Sequence, residues 1–519
     1  MKPFSLPQGL ALCLLSGLLV VFSFPSFLDK SMDPWGAPLV WFSLVPFLLA
    51  LETATPRRGA LLGWVFGLVQ FGGILYWVAL LKEASYLSAP GWLALTLYLS
   101  LYPAVFGLIA AWWRPRSRLF FWFASPALWI TIEFIRGHYP WGGFPWGELG
   151  YACAPDPSLL VLTSYVGVSG LTFLIVWANG LGAQAVVQWR QGSPVSSKRI
   201  IFLYVILPAL VVAGWGGYGH WKISAAHLTA RGRIALVQPN IDQSVKWNRA
   251  YVADTYRRLE KWTHAAGREH PDLILWPETA APSFLLWSPD DLRRVSGIVR
   301  EAGRSVLVGC LDMLRIGKSG EADFNAAVQF EPDGRWAGIY RKRHLVPFGE
   351  FVPFQKYLKF LGPVVGNLGS FQPGPAYCRF RAGSFSYSPV ICYEAIFPDD
   401  IRRAVAGADV LVNISNDAWY GRTACAYQHA SMAVLRSAEE EKPLFRCANT
   451  GVSLATDPFG RILGKTSIYQ EALLTEPVYL VPGPTFYFKW GHWFSLICLV
   501  WTLMGLGIGF FRRRETFHA

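Results

Sequence analysis

The chain has 519 residues, of which 53% are hydrophobic and 16% are charged. Soluble domains carry about 25% charged residues, so this composition excludes a protein that lies entirely in water. The net charge of +13 would suit nucleic acid, but the basic residues are scattered beside apolar runs, which is typical of membrane topology. No CxxC or Cys/His metal spacing occurs, so no zinc site is predicted; a disulfide among Cys310, Cys378, Cys425 and Cys447 is left open.

The first 217 residues form a series of apolar runs, each near the ~20 residues needed to cross hydrocarbon. Seven spans are predicted there, and an eighth follows a long polar interval. The eight spans are placed at 8–27, 35–53, 59–81, 91–113, 119–136, 158–189, 200–217 and 491–511. The sixth is overlong, and we expect it to be tilted or to continue into water as a helix. The pattern therefore predicts a membrane domain over 1–217 and a last helix with a basic tail over 491–519.

The loops between the spans indicate the topology. Basic clusters such as Arg57-Arg58 and Arg512-Arg513-Arg514 occupy alternate breaks, whereas 137–157 contains no Lys or Arg. The positive-inside rule then places both termini in the cytoplasm. Because seven spans precede it, the block 218–490 is predicted to lie on the opposite, extracytoplasmic side.

Two polar features interrupt the membrane half. Glu133 and Arg136 stand three residues apart and share a helix face, which favours a structural ion pair over a catalytic one. The loop from Trp141 to Glu148 is aromatic and glycine-rich. It suits an interfacial aromatic belt or a lipid entrance equally well.

The block after Arg231 alternates short β-rich runs with helical stretches, which predicts an α/β sandwich of about 250 residues. Strands are expected at 234–238, 273–276, 305–308, 326–330, 338–346, 390–391, 409–414, 444–448 and 452–455, and helices at 252–266, 290–302 and 427–440. Strand ends in such folds carry chemistry, so polar residues at those positions are the candidates for a site.

Three such residues are Glu278, Lys342 and Cys392. The Cys392 thiol follows a short apolar strand, although a lone cysteine between apolar residues is more often a core residue. A carboxylate just past a buried strand, like Glu278, suits a general base. A lysine facing that pair would lower the thiol pKa and stabilise an oxyanion. Each of these two charged residues alone is more often a surface or structural group.

The three residues lie in motifs that resemble those of the nitrilase superfamily, in the same order: Leu-Trp-Pro-Glu278-Thr, Tyr-Arg-Lys342-Arg-His and Val-Ile-Cys392-Tyr-Glu394. The extension Leu-Val-Pro-Phe-Gly-Glu350, the Asn-Asp-Ala-Trp419 turn, the segment Gln243–Trp247, the membrane motifs around Arg136 and Trp146, and the eight-span frame are more specifically similar to the apolipoprotein N-acyltransferase family. The resemblance covers nearly the whole chain.

That resemblance implies an αββα sandwich on the periplasmic side of a bacterial inner membrane. It implies Cys392 as nucleophile, Glu278 as base, Lys342 as oxyanion partner and Glu350 as a supporting carboxylate. Further site positions implied by similarity are Trp146, Trp247, Asn325, Tyr393, Glu394 and Trp419. Cys425 departs from the family pattern and is a candidate second reactive thiol.

The implied reaction transfers an acyl chain from a phospholipid, through a cysteine thioester, to the α-amine of a diacylglyceryl-cysteine apolipoprotein. No metal or diffusible cofactor is expected, and the partners are the two lipid substrates and the bilayer. One alternative is a membrane-tethered nitrilase-type amidase acting on a small amide, which leaves the preceding spans unexplained. Another is a transporter or scaffold, which predicts more ionisable residues within the spans than are present.

Overall fold

The computed structural model describes residues 3–81, 87–114, 120–140, 142–192, 197–246, 248–316, 320–351 and 371–518. The chain divides into two compact units. The first comprises Met1–Ala226, Thr423–Ser431 and Pro484–Ala519, and the second comprises His227–Arg422 and Met432–Gly483.

The first unit is helical. Its α-helices are Leu6–Phe22, Val45–Leu51, Pro56–Ile74, Ser88–Trp113, Ser125–His138, Pro157–Leu160, Thr163–Val166, Val168–Arg190, Ser197–Ile201, Leu207–Ala225, Phe486–Trp490 and Trp493–His518. Within the described residues, four helical segments are long and apolar enough to cross a membrane: Ser88–Trp113, Val168–Arg190, Lys198–Ala225 and Trp493–Phe510. The structure thus supports membrane-spanning helices, and the count of eight stays a prediction.

The predicted sixth span is not one helix. It is divided into Pro157–Leu160, Thr163–Val166 and Val168–Arg190, with the last break at Gly167. Gly167 has φ +68°, a left-handed conformation that glycine adopts without steric cost. The expectation of a single tilted or extended helix was therefore wrong, because hydropathy does not register a glycine break inside an apolar run.

Glu133 and Arg136 lie on the same helix, Ser125–His138, as predicted. The Glu133 carboxylate accepts from Trp129 Nε1 at 2.9 Å. Arg136 Nη1 donates to the carbonyl oxygens of Phe144 and Trp146, each at 2.7 Å. Arg136 thereby fixes the loop that follows the helix. The ion pair between Glu133 and Arg136 stays a prediction.

The second unit contains two six-stranded sheets. The strands are β1 Thr229–Gln238, β2 Leu273–Leu275, β3 Ser305–Ile316, β4 Gly320–Phe330, β5 Trp336–Arg341, β6 Phe380–Ala382, β7 Phe385–Ile391, β8 Val410–Ser415, β9 Leu444–Ala448, β10 Leu454–Thr456, β11 Ile462–Lys465 and β12 Ala472–Leu480. One sheet has the order β12-β1-β2-β3-β4-β5, and the other has β11-β10-β9-β8-β7-β6. The predicted hairpin around Gly334 is the antiparallel pair β4–β5.

Alternation along the strands builds the layers. In β1, Ile234 and Leu236 belong to a buried cluster shared with residues of the other sheet, such as Ile391 and Val412. Ala235 and Val237 point the other way, into a cluster with helix residues. Successive side chains of a strand face opposite sides, so one apolar strand serves both the inter-sheet core and the helix layer.

The α-helices of this unit are Gln243–Lys246, Arg249–Gly267, Pro289–Ala302 and Pro398–Ala404, together with the second part of Cys425–Glu440. Arg249–Gly267 begins at the N-cap Asn248, whose side chain accepts from Ala250 N. Helices on the outer face of the first sheet and two sheets face to face match the nitrilase-like part of the predicted fold.

Candidate active site

The three predicted residues lie beyond the C-terminal ends of three strands. Glu278 follows β2, Lys342 comes directly after β5, and Cys392 comes directly after β7. The predicted strand 338–346 is shorter than expected, since β5 ends at Arg341. The fold brings these residues into one electrostatic neighbourhood, because the charges of Glu278 and Lys342 both act on the Cys392 thiol.

The Lys342 ammonium lies between two carboxylates. Its Nζ is 2.8 Å from Glu350 Oε1 and 3.6 Å from Glu278 Oε1, and the side chain is only 1% exposed. Asn325 Nδ2 bridges the same two carboxylates, at 2.7 Å from Glu278 Oε1 and 3.0 Å from Glu350 Oε1. Burial alone would lower the pKa of Lys342, but the coulombic effect of Glu350 and then Glu278 outweighs it and raises that pKa. A donor that is charged at neutral pH is therefore held at this position.

The Cys392 thiol is buried at 8% exposure. Burial, and then the charge of Glu278, raise its pKa to about 12, although Lys342 acts in the opposite direction. Lys342 thus lowers the pKa of the Cys392 thiol as expected, but burial and Glu278 raise that pKa by more. The resting sulfur is a neutral thiol at neutral pH, so it needs a base at the moment of attack.

The backbone is strained at two of these loops. Cys392 has φ +51° and Thr279, next to Glu278, has φ +48°. Such a conformation costs a non-glycine residue roughly 1–2 kcal/mol and persists where the surroundings enforce it, often at functional sites. Gly309 on β3 permits the Glu278 turn, because a Cβ there would lie 2.2 Å from the Pro277 carbonyl oxygen.

Glu394 contacts backbone and tyrosine groups rather than the thiol. Its Oε1 accepts from Tyr340 Oη at 2.8 Å and from Arg343 N at 2.7 Å, and its Oε2 accepts from Ile391 N at 2.6 Å. It therefore ties the segment after β5 to the turn that carries Cys392. Neighbouring Tyr393 is half-buried, and its ring lies edge-on to His344 and Phe397.

The remaining predicted positions lie elsewhere. Trp146 belongs to the first unit, is buried, and donates from Nε1 to Gln428 Oε1 at 2.8 Å. Trp419 is 40% exposed on the turn after β8. Trp247 falls outside the described residues. Cys425 is buried at the start of helix Cys425–Glu440, and no disulfide joins any of the cysteines in the described residues.

Sequence reasoning gave no role to several residues near the thiol. Lys246 is buried and donates from Nζ to the Glu278 carbonyl oxygen at 3.0 Å and to Thr279 Oγ1 at 2.6 Å. Ser415 Oγ lies 3.5 Å from Cys392 Sγ, and Arg446 binds both Ser415 and Asp417. An arginine within the apolar strand Leu444–Ala448 was the available signal, since a fully buried arginine needs partners.

Comparison with known proteins follows the same division of the chain. A family model for the apolipoprotein N-acyltransferase N-terminal domain matches residues 16–181, and one for carbon-nitrogen hydrolases matches residues 233–480. The apolipoprotein N-acyltransferase of Geobacter metallireducens is 35% identical over 98% of this chain and 96% of its own length. The chain belongs to the apolipoprotein N-acyltransferase family.

Another member of that family, from Brucella melitensis, is 34% identical over 92% of this chain and 91% of its own length. A crystal structure of an amidase from Nesterenkonia sp. covers 51% of this chain and 95% of its own, at a TM-score of 0.37 and 18% identity. In this member of the apolipoprotein N-acyltransferase family, the carbon-nitrogen hydrolase match contains Glu278, Lys342 and Cys392, and the N-terminal match contains Trp146.

Proposed function

We propose that this protein transfers a fatty acyl chain from a membrane phospholipid to the N-terminal amine of an S-diacylglyceryl-cysteine apolipoprotein. The observation that carries the proposal is that Glu278 and Lys342 act on the Cys392 thiol and that Glu350 pairs with Lys342. This cluster lies within a chain that matches named apolipoprotein N-acyltransferases over nearly its whole length. Apolar helices of spanning length support an enzyme whose two substrates are lipids.

In the first proposed step, Cys392 attacks the phospholipid ester carbonyl. Its thiol proton passes to the Glu278 carboxylate as the sulfur–carbon bond forms. Lys342 and the backbone N–H of Tyr393 stabilise the negative charge on the carbonyl oxygen. When the tetrahedral intermediate collapses, the lysophospholipid oxygen leaves with the proton from Glu278, and an acyl thioester remains.

In the second proposed step, the apolipoprotein amine attacks that thioester. Glu278 takes a proton from the amine as the nitrogen–carbon bond forms, and the carbon–sulfur bond then breaks. The proton returns to the Cys392 sulfur, and the product is an amide. All proposed groups are side chains or backbone of this chain, with Glu350 and Asn325 holding Lys342 and Glu278 in place.

The proposed arrangement in the cell follows from the topology of the spans. We place the catalytic domain, 218–490, on the periplasmic side of a bacterial inner membrane, between seven spans in 1–217 and an eighth in 491–519. Both termini then lie in the cytoplasm. A reagent for cysteines that does not cross membranes tests this placement: single cysteines introduced within 218–490 should react from outside only.

The reaction is tested with full-length protein, a phospholipid labelled in its acyl chains, and a diacylated lipopeptide. A hydroxylamine-sensitive label should appear on the enzyme, and labelled lipopeptide should form only when the acceptor is added. Cys392→Ala should abolish both. Cys378→Ala is the matched control, because Cys378 is the most accessible of the cysteines and should label adventitiously if any does.

Two results would reject the proposal. Normal labelling of Cys392→Ala with loss of label in Cys425→Ala would move the nucleophile to Cys425. Release of free fatty acid from the phospholipid, or of ammonia from a small amide, would favour the hydrolase alternative if no acyl chain is transferred to the lipopeptide.

A further inference from the structure

A serine lies beside the sulfur of Cys392, and the two proposed reaction steps give this serine no role. Ser415 ends strand β8, which runs parallel to β7, and its hydroxyl oxygen lies 3.5 Å from Cys392 Sγ. Ser415 is completely buried. Parallel strands deliver their C-terminal ends to the same edge of a sheet, so a residue at the end of β8 reaches the turn after β7.

Ser415 is held in place by a buried ion pair. Arg446, on the adjacent parallel strand β9, donates from Nη2 to Ser415 Oγ at 3.1 Å and to Asp417 Oδ2 at 2.8 Å. Asn413, on the same face of β8 as Ser415, also accepts from Arg446 and donates to the Cys392 carbonyl oxygen at 3.4 Å. One lone pair of the serine oxygen thus accepts from Arg446, and the hydroxyl proton of Ser415 is left to be donated to a different group.

Two acceptors compete for that proton. Asp417 Oδ1 lies 3.1 Å from Ser415 Oγ, and Cys392 Sγ lies 3.5 Å away. The Asp417 charge is offset by Arg446, whereas a sulfur that becomes anionic is a much stronger acceptor than a thiol. The hydroxyl can thus turn from Asp417 to the sulfur when negative charge develops there.

We propose that Ser415 is a catalytic residue that donates a hydrogen bond to the Cys392 sulfur whenever that sulfur carries negative charge. This inference rests on the proposed function for its role in acyl transfer. The Ser415 proton stays on Ser415 throughout. The Ser415 hydroxyl donates to the sulfur while Glu278 removes the thiol proton. It donates again when the carbon–sulfur bond of the thioester breaks and the electron pair returns to sulfur.

Other charged groups of the second unit also act on this thiol. Glu278 and Asp417 raise the pKa of Cys392, Lys342 lowers it, and the Lys246 ammonium is attracted to the thiolate. The hydrogen bond from Ser415 lowers that pKa. Ser415 and Asp417 thus influence the same sulfur in opposite directions, although they lie two residues apart.

This opposition gives a test that does not depend on lipid. The rate of Cys392 alkylation by iodoacetamide is measured on full-length protein between about pH 7 and about pH 9, where the rate follows the thiolate fraction. Mass spectrometry follows the tryptic peptide 382–402, in which Cys392 is the only cysteine. Ser415→Ala should lower the rate roughly tenfold, the loss expected for one hydrogen bond to a charged sulfur. Asp417→Asn should raise it.

The matched control is Ser388→Ala. Ser388 is also completely buried, lies on β7 itself, and donates to the Cys378 carbonyl oxygen instead of to the thiol. Its removal should leave the alkylation rate of Cys392 unchanged. Ser415→Thr, which keeps the hydroxyl, should restore most of the rate lost in Ser415→Ala.

The proposal is overturned if Ser415→Ala alkylates like wild type, or if Ser415→Ala and Asp417→Asn change the rate in the same direction, as general disruption would. If Ser415→Ala does not fold, the test rests on folded Asp417→Asn. The proposal is then overturned if the alkylation rate of Cys392 in that variant falls or stays unchanged. Absence of acyl transfer by wild type would reject the proposed function and leave the alkylation result standing, so the two failures are distinguishable.

Discussion

Two buried lysines lie next to Glu278, and their surroundings differ. Lys342 and Lys246 are each 1% exposed. Lys342 Nζ contacts two carboxylates, those of Glu350 and Glu278. Lys246 Nζ donates to neutral oxygens, the Glu278 carbonyl and the Thr279 hydroxyl. The pKa of Lys342 is raised, whereas burial lowers the pKa of Lys246 to about 8.

The difference shows that burial alone does not decide the charge of a lysine. Removal from water favours the neutral amine, and adjacent anions reverse that preference. Lys342 therefore remains an ammonium, as its proposed role as oxyanion partner requires. Lys246, with a pKa near neutral pH, contributes mainly by fixing the strained Glu278–Thr279 turn.

The largest effect should come from removing the charged lysine. Lys342→Met deletes the proposed oxyanion donor and leaves the Glu278 and Glu350 carboxylates buried without the Lys342 cation. Formation of the acyl-enzyme should fall about 10²–10³-fold, and stability should fall by about 3–5 kcal/mol. Single-turnover labelling and thermal unfolding measure the two effects.

Lys261→Met is the control for that variant. Lys261 is 65% exposed and pairs with Glu471 at 3.6 Å, a contact of the kind that contributes little to stability. It should change neither labelling nor unfolding. A Lys342→Met enzyme that forms acyl-enzyme at the normal rate would remove Lys342 from the proposed mechanism.

A smaller effect should follow when Lys342 is made to resemble Lys246. Glu350→Gln keeps the side-chain shape and removes one of the two anions that raise the pKa of Lys342. That pKa should fall by about one to three pH units. Acyl-enzyme formation should then decline at alkaline pH, where Lys342 loses its proton, and this decline should begin at lower pH than in wild type. An alkaline limb that does not move would mean that Glu350 does not set the charge of Lys342.

The positions of the candidate catalytic residues could be predicted because their signals are local. Glu278 and Cys392 each follow an apolar strand, and the β4–β5 hairpin that leads to Lys342 has its turn at Gly334. Alternation and turn residues within a short window determine these features. The motifs then indicated which strand ends belong to one site.

The supporting residues could not be predicted, because their contacts join strands far apart in sequence. Ser415 meets Cys392 and Arg446 only through the register of β7, β8 and β9, and strand order cannot be obtained from a local pattern. The same applies to Gln428, whose side chain accepts from Trp77 Nε1 and Trp146 Nε1 within the first unit. A glutamine on a helix carries no sign of such partners.

The smallest effect should come from the other lysine, and its sign depends on pH. The pKa of Lys246 is about 8 in the folded protein against an ordinary value of 10.5. Between these values the unfolded chain binds more protons than the folded one, so stability rises with pH across this interval. Below about pH 8 the ammonium is buried in the folded state, and the full cost of removing its charge from water opposes folding.

Lys246→Met removes this titration, so the melting temperature of wild type relative to Lys246→Met should rise between about pH 8 and about pH 10.5. Acyl-enzyme formation should fall by less than about tenfold, because Lys246 donates to neutral oxygens of the Glu278–Thr279 turn and each such hydrogen bond contributes about 1 kcal/mol. A constant difference in melting temperature across that interval would show that Lys246 stays charged in the folded protein, and the contrast with Lys342 would then be lost.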